Sequence, residues 1–589
     1  MFGKIIELKD NYIYLENKLG RAETNLIGYH VIFNDSSKTL VGEVENVSIE
    51  KIEILLIGEI KNNAYMAGII KKPSPNATAR IITKKELEYL LGSQDYSNRS
   101  NLLIGNSLIY DGFKVTADKN KFFSGHFAVL GNTGSGKSCG VSRMVQNLFS
   151  NPNFIAYNAN IFIFDAYGEY KTAFGKLNEL NPNYSYKFIT TNPTDPTDQR
   201  LAIPVHLLNL DDMTLLLQVS SHKQIPIIER ALKLAKVFAD VSDEATMYKN
   251  HLIAKALLAI LFSNETTKEK KNEVFQVIQV CHTNEFNFDT DIPGVGYTRK
   301  FSDCFEIDSH GNFGESVLIN EYILKFINDD LEGKISAKPV YYTLKDFASA
   351  LEFTLISEGF LHNEAIRDDA SILKVRLNSI LNSNVGTYFN YPNYITLEQY
   401  IASLVATPNR KKAQIININL EDMDDTYAKV IVKIYARMFF EFAKSRTQRA
   451  SIPFHLFLEE AHRYVSKDAD TFLLGYNIFE RIAKEGRKYG VLLNIISQRP
   501  VEISDTVISQ CSNFLIFKMT HPKDIEYIRT MLPNISQDVI EKQKVLQPGN
   551  CVGFGGAFKL PMIIKLEMPN PMPYSTNCNV NERWKVHTN

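Results

Sequence analysis

Apolar and polar positions divide the chain into three kinds of stretch. Up to about residue 95, short apolar runs are broken by turn residues. Lys4–Leu8, Tyr12–Leu15, Gly28–Phe33, Thr39–Val47, Lys51–Gly58 and Ala64–Lys71 read as strands. Six strands in that length predict a small β-barrel, with a half-open sheet as the alternative, and the helical spacing of Lys84–Leu91 supplies a closing helix. Between about 205 and 395 the period lengthens. Leu207–Val219, Ile225–Ala239, Thr246–Phe262, Leu344–Ile356 and Ile366–Leu381 show helical spacing. Within this stretch Lys268–Lys271 reads as a solvated loop, or less readily a nucleic-acid contact, and Phe286–Phe313 as a loop or small hairpin.

The third kind is the uninterrupted apolar run of a strand buried on both faces. His126–Leu130, Ile161–Phe164, Ala413–Leu420, Phe454–Leu458, Val491–Ile496 and Phe514–Met519 have this form. A long amphipathic helix covers Asp425–Lys444, Leu102–Ser124 reads as a connector, and the Gly-rich Leu546–Met568 reads as a closing hairpin. The pattern predicts an α/β protein with a core in two parts, 96–204 and 396–568. The β-rich segment 1–95 precedes it, helices 205–395 are inserted in it, and a Pro- and Asn-rich tail 569–589 follows, ordered against a partner.

Composition changes this picture little. A chain of 589 residues exceeds one ordinary core. The net charge of −1 gives no global attraction to nucleic acid or membrane, so any nucleic-acid contact needs a local basic patch. Six scattered cysteines without a CxxC pair argue against a zinc site or a disulfide framework and favour the reducing cytoplasm. No signal peptide and no apolar run long enough to span a membrane are expected.

The candidate chemistry sits at strand ends. Gly131-Asn132-Thr133-Gly134-Ser135-Gly136-Lys137-Ser138 fits G-x-x-x-x-G-K-[ST] between an apolar strand and an amphipathic helix opening at Cys139. Glycines let the backbone curl its N–H groups toward phosphate oxygens, and the helix N-terminus adds positive charge. Gly131–Ser138 with Cys139 form the predicted ATP-phosphate site; Lys137 reaches the β- and γ-phosphates and Ser138 ligates Mg²⁺. Glu459-Glu460 follow another buried strand. Strand alternation aims the two carboxylates at different tasks: Glu459 on the Mg²⁺ side, Glu460 on the attacking water. Gln498 ends a third strand and is placed to touch the γ-phosphate, a capped turn being the bland reading. Asp165 or Glu169 contacts nucleotide, Mg²⁺ or a neighbouring subunit, or else merely caps a turn. Arg487 first, and Arg481 second, are candidates for an arginine acting on a neighbouring subunit's ATP; a basic solvated helix face is the equal alternative.

In this order the motifs resemble the HerA family of hexameric DNA-translocating ATPases, relatives of FtsK. The resemblance rests on the His126–Ser138 strand and loop, the Asp165–Tyr170 turn, Leu458-Glu459-Glu460-Ala461-His462, Glu485–Gly490 and Ser497-Gln498-Arg499-Pro500. It implies a RecA-like P-loop ATPase core with an N-terminal small β-barrel and an inserted helical subdomain. It further implies a homohexamer using ATP and Mg²⁺, duplex DNA in its pore, and no membrane. A partner effector, a nuclease or sirtuin-like NADase, docks at the barrel end in end resection or antiviral defence. The chain departs from the family pattern at Glu459, where Asp is usual, at Ala166-Tyr167, where Pro-His is common, and at Gly125, where an arginine sensor often stands. An ATP-switched assembly scaffold and a conjugation or secretion ATPase are the rival readings.

Overall fold

A computed structural model describes residues 2–18, 26–35, 38–331, 340–357, 364–467, 473–531, 537–575 and 580–584. The N-terminal segment contains seven strands: β1 Ile5–Lys9, β2 Tyr12–Glu16, β3 His30–Asp35, β4 Lys38–Val47, β5 Lys51–Lys61, β6 Ala64–Ala67 and β7 Thr78–Ile81. They form one antiparallel sheet in the order β1-β2-β5-β4-β3-β7, with β6 on β5. The expected sixth strand stops at Ala67, because Gly68 takes a left-handed φ of 86°. The expectation of six strands misses β7, whose Thr-Ala-Arg-Ile is too short and too polar to stand out. Among the described strands no ladder joins β1 to β7, so the pairing path is that of an open sheet. Ile13, Val31, Phe33, Leu40 and Ile54 form its apolar core. Helix α1, Lys84–Leu91, follows with a capping box between Thr83 and Glu86, which satisfies two backbone donors at its start.

The core is a second sheet of twelve strands. It adds β8 Asn101–Ser107, β9 Lys114–Asp118, β10 His126–Leu130, β11 Ile161–Asp165, β12 Tyr186–Thr190 and β13 Gln199–Arg200. After the short hairpin β14 Asp291–Pro293 and β15 Thr298–Lys300 come β16 Ile415–Asn419, β17 Phe454–Leu458, β18 Val491–Ser497, β19 Cys511–Phe517, β20 Asn550–Gly555 and β21 Met562–Leu566. The order is β13-β12-β16-β11-β17-β18-β10-β19-β20-β21-β8-β9. Strands from β13 to β19 pair in parallel, and the ladders from β19 through β9 are antiparallel. The Leu102–Ser124 connector is thus corrected: it contains the last two strands of the sheet, with β9 at its edge, and the short helix α2, Lys119–Phe123. A bulge between Leu103 and Gly105 hides the alternation that would have marked β8.

Alternate core-strand residues face opposite sides. Ala128, Leu130, Phe162 and Phe164 join one apolar core, while Phe127, Val129, Ile161 and Ile163 join the other. The first core continues into the helices between β13 and β16, including Ile225–Ala239, Asp243–Leu261 and Leu344–Ser357. The predicted helix Leu207–Val219 shortens to Leu210–Leu216 behind a 3₁₀ turn, because Asn209 caps it. Lys268–Lys271 is not a loop but the first turn of helix Thr267–Val280, capped by Thr266 and Glu269. Its charges masked the apolar stripe of Val274, Val277 and Ile278. A buried ion pair ties these helices to the core: Arg437 Nε donates to Asp212 Oδ1 at 2.9 Å. The described start of the tail also lies on its own chain rather than waiting for a partner. Gln146 Nε2 donates to the Pro571 carbonyl at 2.8 Å, and the Tyr574 N–H donates to the Glu169 carbonyl at 2.8 Å.

Candidate active site

The eight-residue loop after β10 lies at the carboxyl edge of the parallel strands, between β18 and β19, where open α/β sheets place their ligands. Helix α3, Lys137–Phe149, starts directly from it. Gly136 has a left-handed φ of 98°, and a Cβ there would fall 2.9 Å from the Gly549 nitrogen. Only glycine fits, and Gly549 in turn donates its N–H to the Ser135 carbonyl at 2.9 Å. Gly131 is closed off by Phe517, whose Cβ is 2.5 Å from the same construction. Lys137 is 8% exposed, and its Nζ donates to the Asn132 carbonyl at 3.0 Å. Burial lowers this amine below the ordinary lysine value, against the opposing pull of Glu460, Glu459 and Glu169.

Three carboxyl side chains converge on that lysine. Glu459 is 4% exposed, and its Oε2 has no hydrogen-bond partner. Burial first, then Asp165 and Glu169, raise its carboxyl well above the usual carboxylate range. Glu169 also keeps Oε2 unpartnered and is raised by burial, with Ser138 hydrogen-bonding to it in opposition. Glu460 is raised by burial, offset by Lys137 and the Gln498 backbone N–H. Its divergence from Glu459 does not come from strand alternation, as the sequence suggested. β17 ends at Leu458, and Glu460 takes a left-handed φ of 46°, so the turn itself rotates the side chain away. A non-glycine residue in that region is uncommon and is typical of a site held under constraint.

Asp165 resolves as a turn cap. Its carboxylate accepts from the Glu169 and Tyr170 N–H groups at 3.0 and 2.9 Å and from Asn417 Nδ2 at 2.9 Å. Gln498 is engaged from the loop, its Oε1 accepting from Thr133 Oγ1. Asn132 Nδ2 reaches Thr520 Oγ1 at 2.6 Å. An open cavity of about 670 Å³ continues past Thr133 and Gln498 toward His521 and Asp524.

The two candidate arginines are not at this loop. Arg487 is exposed at the end of helix Ile478–Tyr489, where its charge acts on His126, the first residue of β10 and so the opposite end from Gly131. Arg481 lies over the rings of Phe440 and Tyr476. Sequence reasoning missed Arg463, whose charge acts on Glu460 and whose Nη2 donates to Asp425 Oδ1. Its Nε and Nη1 are buried without partners. The one available signal was a basic residue three positions beyond the carboxylate. His462 Nδ1 is 3.3 Å from Glu460 Oε2 and 3.1 Å from Ser497 Oγ, also without prior sign. At Gly125 a Cβ would stand 2.2 Å from Ser512 Oγ, so a longer residue enters only if Ser512 turns aside.

Among the described residues, no group of three or more His, Cys, Asp or Glu is placed to hold a metal alone. The unpartnered Glu459 and Glu169 oxygens near Ser138 suit Mg²⁺ shared with phosphates, which commonly takes only one or two protein carboxylates.

The family model for the central domain of helicase HerA matches residues 102–285, from β8 through the phosphate loop into the inserted helices. Over these residues the chain is similar to the HerA central domain. The DNA double-strand break repair helicase HerA of Sulfurisphaera tokodaii is 35% identical over 172 residues, 28% of this chain and 34% of that protein. This match therefore spans about a third of that relative's length. The probable DNA double-strand break repair helicase HerA of Methanocaldococcus jannaschii is 22% identical over 569 residues, 94% of this chain and 93% of that one. VirB4 of Thermoanaerobacter pseudethanolicus superposes with a TM-score of 0.45 at 13% identity, over 80% of this chain and 97% of that chain. The matched region includes the phosphate loop, and among the described residues no helix is long and apolar enough to cross a membrane.

Proposed function

We propose that this chain is a HerA-family ATPase and works as a six-subunit cytoplasmic ring that translocates on duplex DNA. The ring powers or gates a partner effector, a nuclease or a sirtuin-like NAD-consuming enzyme, in DNA end processing or antiviral defence. The effector docks at the N-terminal sheet. The ring, DNA and effector are carried over from the family resemblance; the hydrolytic chemistry is carried by Glu460.

Glu460 keeps one buried oxygen without a hydrogen-bond partner, beside Lys137 and the Gln498 backbone. A carboxylate so placed accepts a proton from the water that attacks the γ-phosphate. The Gly131–Ser138 backbone holds the phosphate oxygens with Cys139 at the helix start, and Lys137 neutralises β- and γ-phosphate charge. Ser138 and Glu459 would hold Mg²⁺, which would supply neutralisation of phosphate charge. Burial, Asp165 and Glu169 raise the Glu459 carboxyl, and a cation held beside it would oppose that shift by attraction. Gln498 reads the γ-phosphate from the loop, and Arg487, exposed and away from its own loop, acts on a neighbouring subunit.

The test is the ATPase rate of the full chain with and without duplex DNA, and with the candidate effector. Severalfold stimulation by DNA supports the motor. A rate indifferent to DNA, with ATP needed only for effector assembly, replaces it with the scaffold reading.

A further inference from the structure

A second cavity, of about 610 Å³, opens at the opposite edge of the core sheet. Lys119 and Phe123 of α2, Phe154 and Tyr157 of the segment before β11, and His455 at the start of β17 are among its lining residues. Its volume falls in the range of small-molecule sites, which are typically apolar with a few placed polar groups.

The rim is built before any ligand arrives. The Ala156 N–H donates to the Tyr184 hydroxyl at 3.0 Å. Lys412 Nζ donates to the Ala159 carbonyl at 2.7 Å, and Gln414 Nε2 to the Tyr157 carbonyl at 2.9 Å. Inside, Lys119 is 7% exposed, and its Nζ has no hydrogen-bond partner. The amine stands 3.7 Å from the centre of the Phe154 ring, a contact that stabilises the cation without filling its three donor positions. Burial lowers it to about 8; Asp118, which also lines the cavity, accepts from the Lys121 N–H rather than from this amine. His455 Nδ1 is likewise buried and unpartnered, and burial lowers that ring to about 4, so it is neutral. A buried amine without an acceptor costs free energy that an anion would recover.

We infer that this cavity binds a small ligand with an aromatic or apolar body and one anionic head group, the head on Lys119 Nζ and the body against Phe154 and Phe123. The site lies at the amino edge of the strands and shares no lining residue with the phosphate loop.

The test titrates the full chain with 4-fluorobenzoate by ¹⁹F NMR, with and without saturating ATP. The expected result is saturable binding unaffected by ATP, at least tenfold weaker in Lys119→Met and for the neutral 4-fluorobenzyl alcohol. Equal binding by the wild type and a folded Lys119→Met, no saturation, or displacement by ATP overturns it. Should Lys119→Met fail to fold, the wild type decides: 4-fluorobenzoate slows methylation of Lys119 by formaldehyde and cyanoborohydride, read by mass spectrometry. An unchanged rate overturns the inference.

Discussion

At the carboxyl edge of the core sheet, Glu459, Glu460 and Glu169 crowd about the buried amine of Lys137; at the amino edge, the buried amine of Lys119 has no hydrogen-bond partner, and the one carboxylate lining its cavity, Asp118, accepts from the Lys121 N–H instead. Both edges leave polar atoms without partners, yet they are incomplete in opposite senses. The first has an excess of negative charge and a loop shaped for phosphate, so it calls for phosphate together with a cation. The second has a buried, unpartnered amine in a mostly apolar chamber, so it calls for a lone anion. Unpartnered groups alone do not identify a ligand; the sign and number of the charges left over do.

The largest expected effect concerns a group far from its own loop. Arg487→Ala lowers ATPase kcat by about 10³–10⁵ if it completes a neighbour's site. Mixing it with Lys137→Ala chains restores part of that rate, since each variant then supplies what the other lacks. Arg481→Ala, which only uncovers Phe440 and Tyr476, costs about 1 kcal/mol of stability in denaturant titration and leaves the rate within a few-fold. A reversed pattern would move the trans role to Arg481.

Glu460→Gln lowers kcat by about 10²–10⁴ while ATP remains bound, measured by single-turnover hydrolysis and filter retention. Wild-type turnover in that variant removes Glu460 from the chemistry. Burial raises the Glu460 carboxyl, and the base works only when deprotonated. The acid limb of the kcat/KM profile therefore falls at a pH above the ordinary carboxylate range, and activity drops as pH falls through it. A limb at or below an ordinary glutamate value would show that another group carries the proton.

The smallest effect sharpens the contrast between edges. Lys119→Met leaves basal ATPase within about twofold, because it touches no residue of the phosphate loop.

How much of each edge is legible in sequence follows from how its residues are connected. The phosphate loop is eight consecutive residues after an apolar strand, and Glu459-Glu460 and Gln498 each follow another such strand. One-dimensional pattern therefore reached them, together with the α/β class and α1. The second cavity draws on segments near 99–100, 118–123, 148–161 and 453–455, which only the fold brings together, and no motif links them. Strands β8 and β9 were lost to a bulge, β7 to its polarity, and helix Thr267–Val280 to the charges of its first turn. The turn that separates Glu459 from Glu460 depends on a left-handed residue whose identity gives no hint of it. The same holds for Asp165, where cap and ligand look alike until the N–H groups of Glu169 and Tyr170 are seen to occupy it.

The link from Thr133 to Gln498 ties the loop to a neighbouring strand end. A glutamine side chain presents an acceptor at one corner and two donors at the other. With its oxygen accepting from the Thr133 hydroxyl, Gln498 keeps its two N–H donors free of that contact. The loop that cradles an anion thereby also holds the side chain that inspects it, so movement of the one is passed to the other.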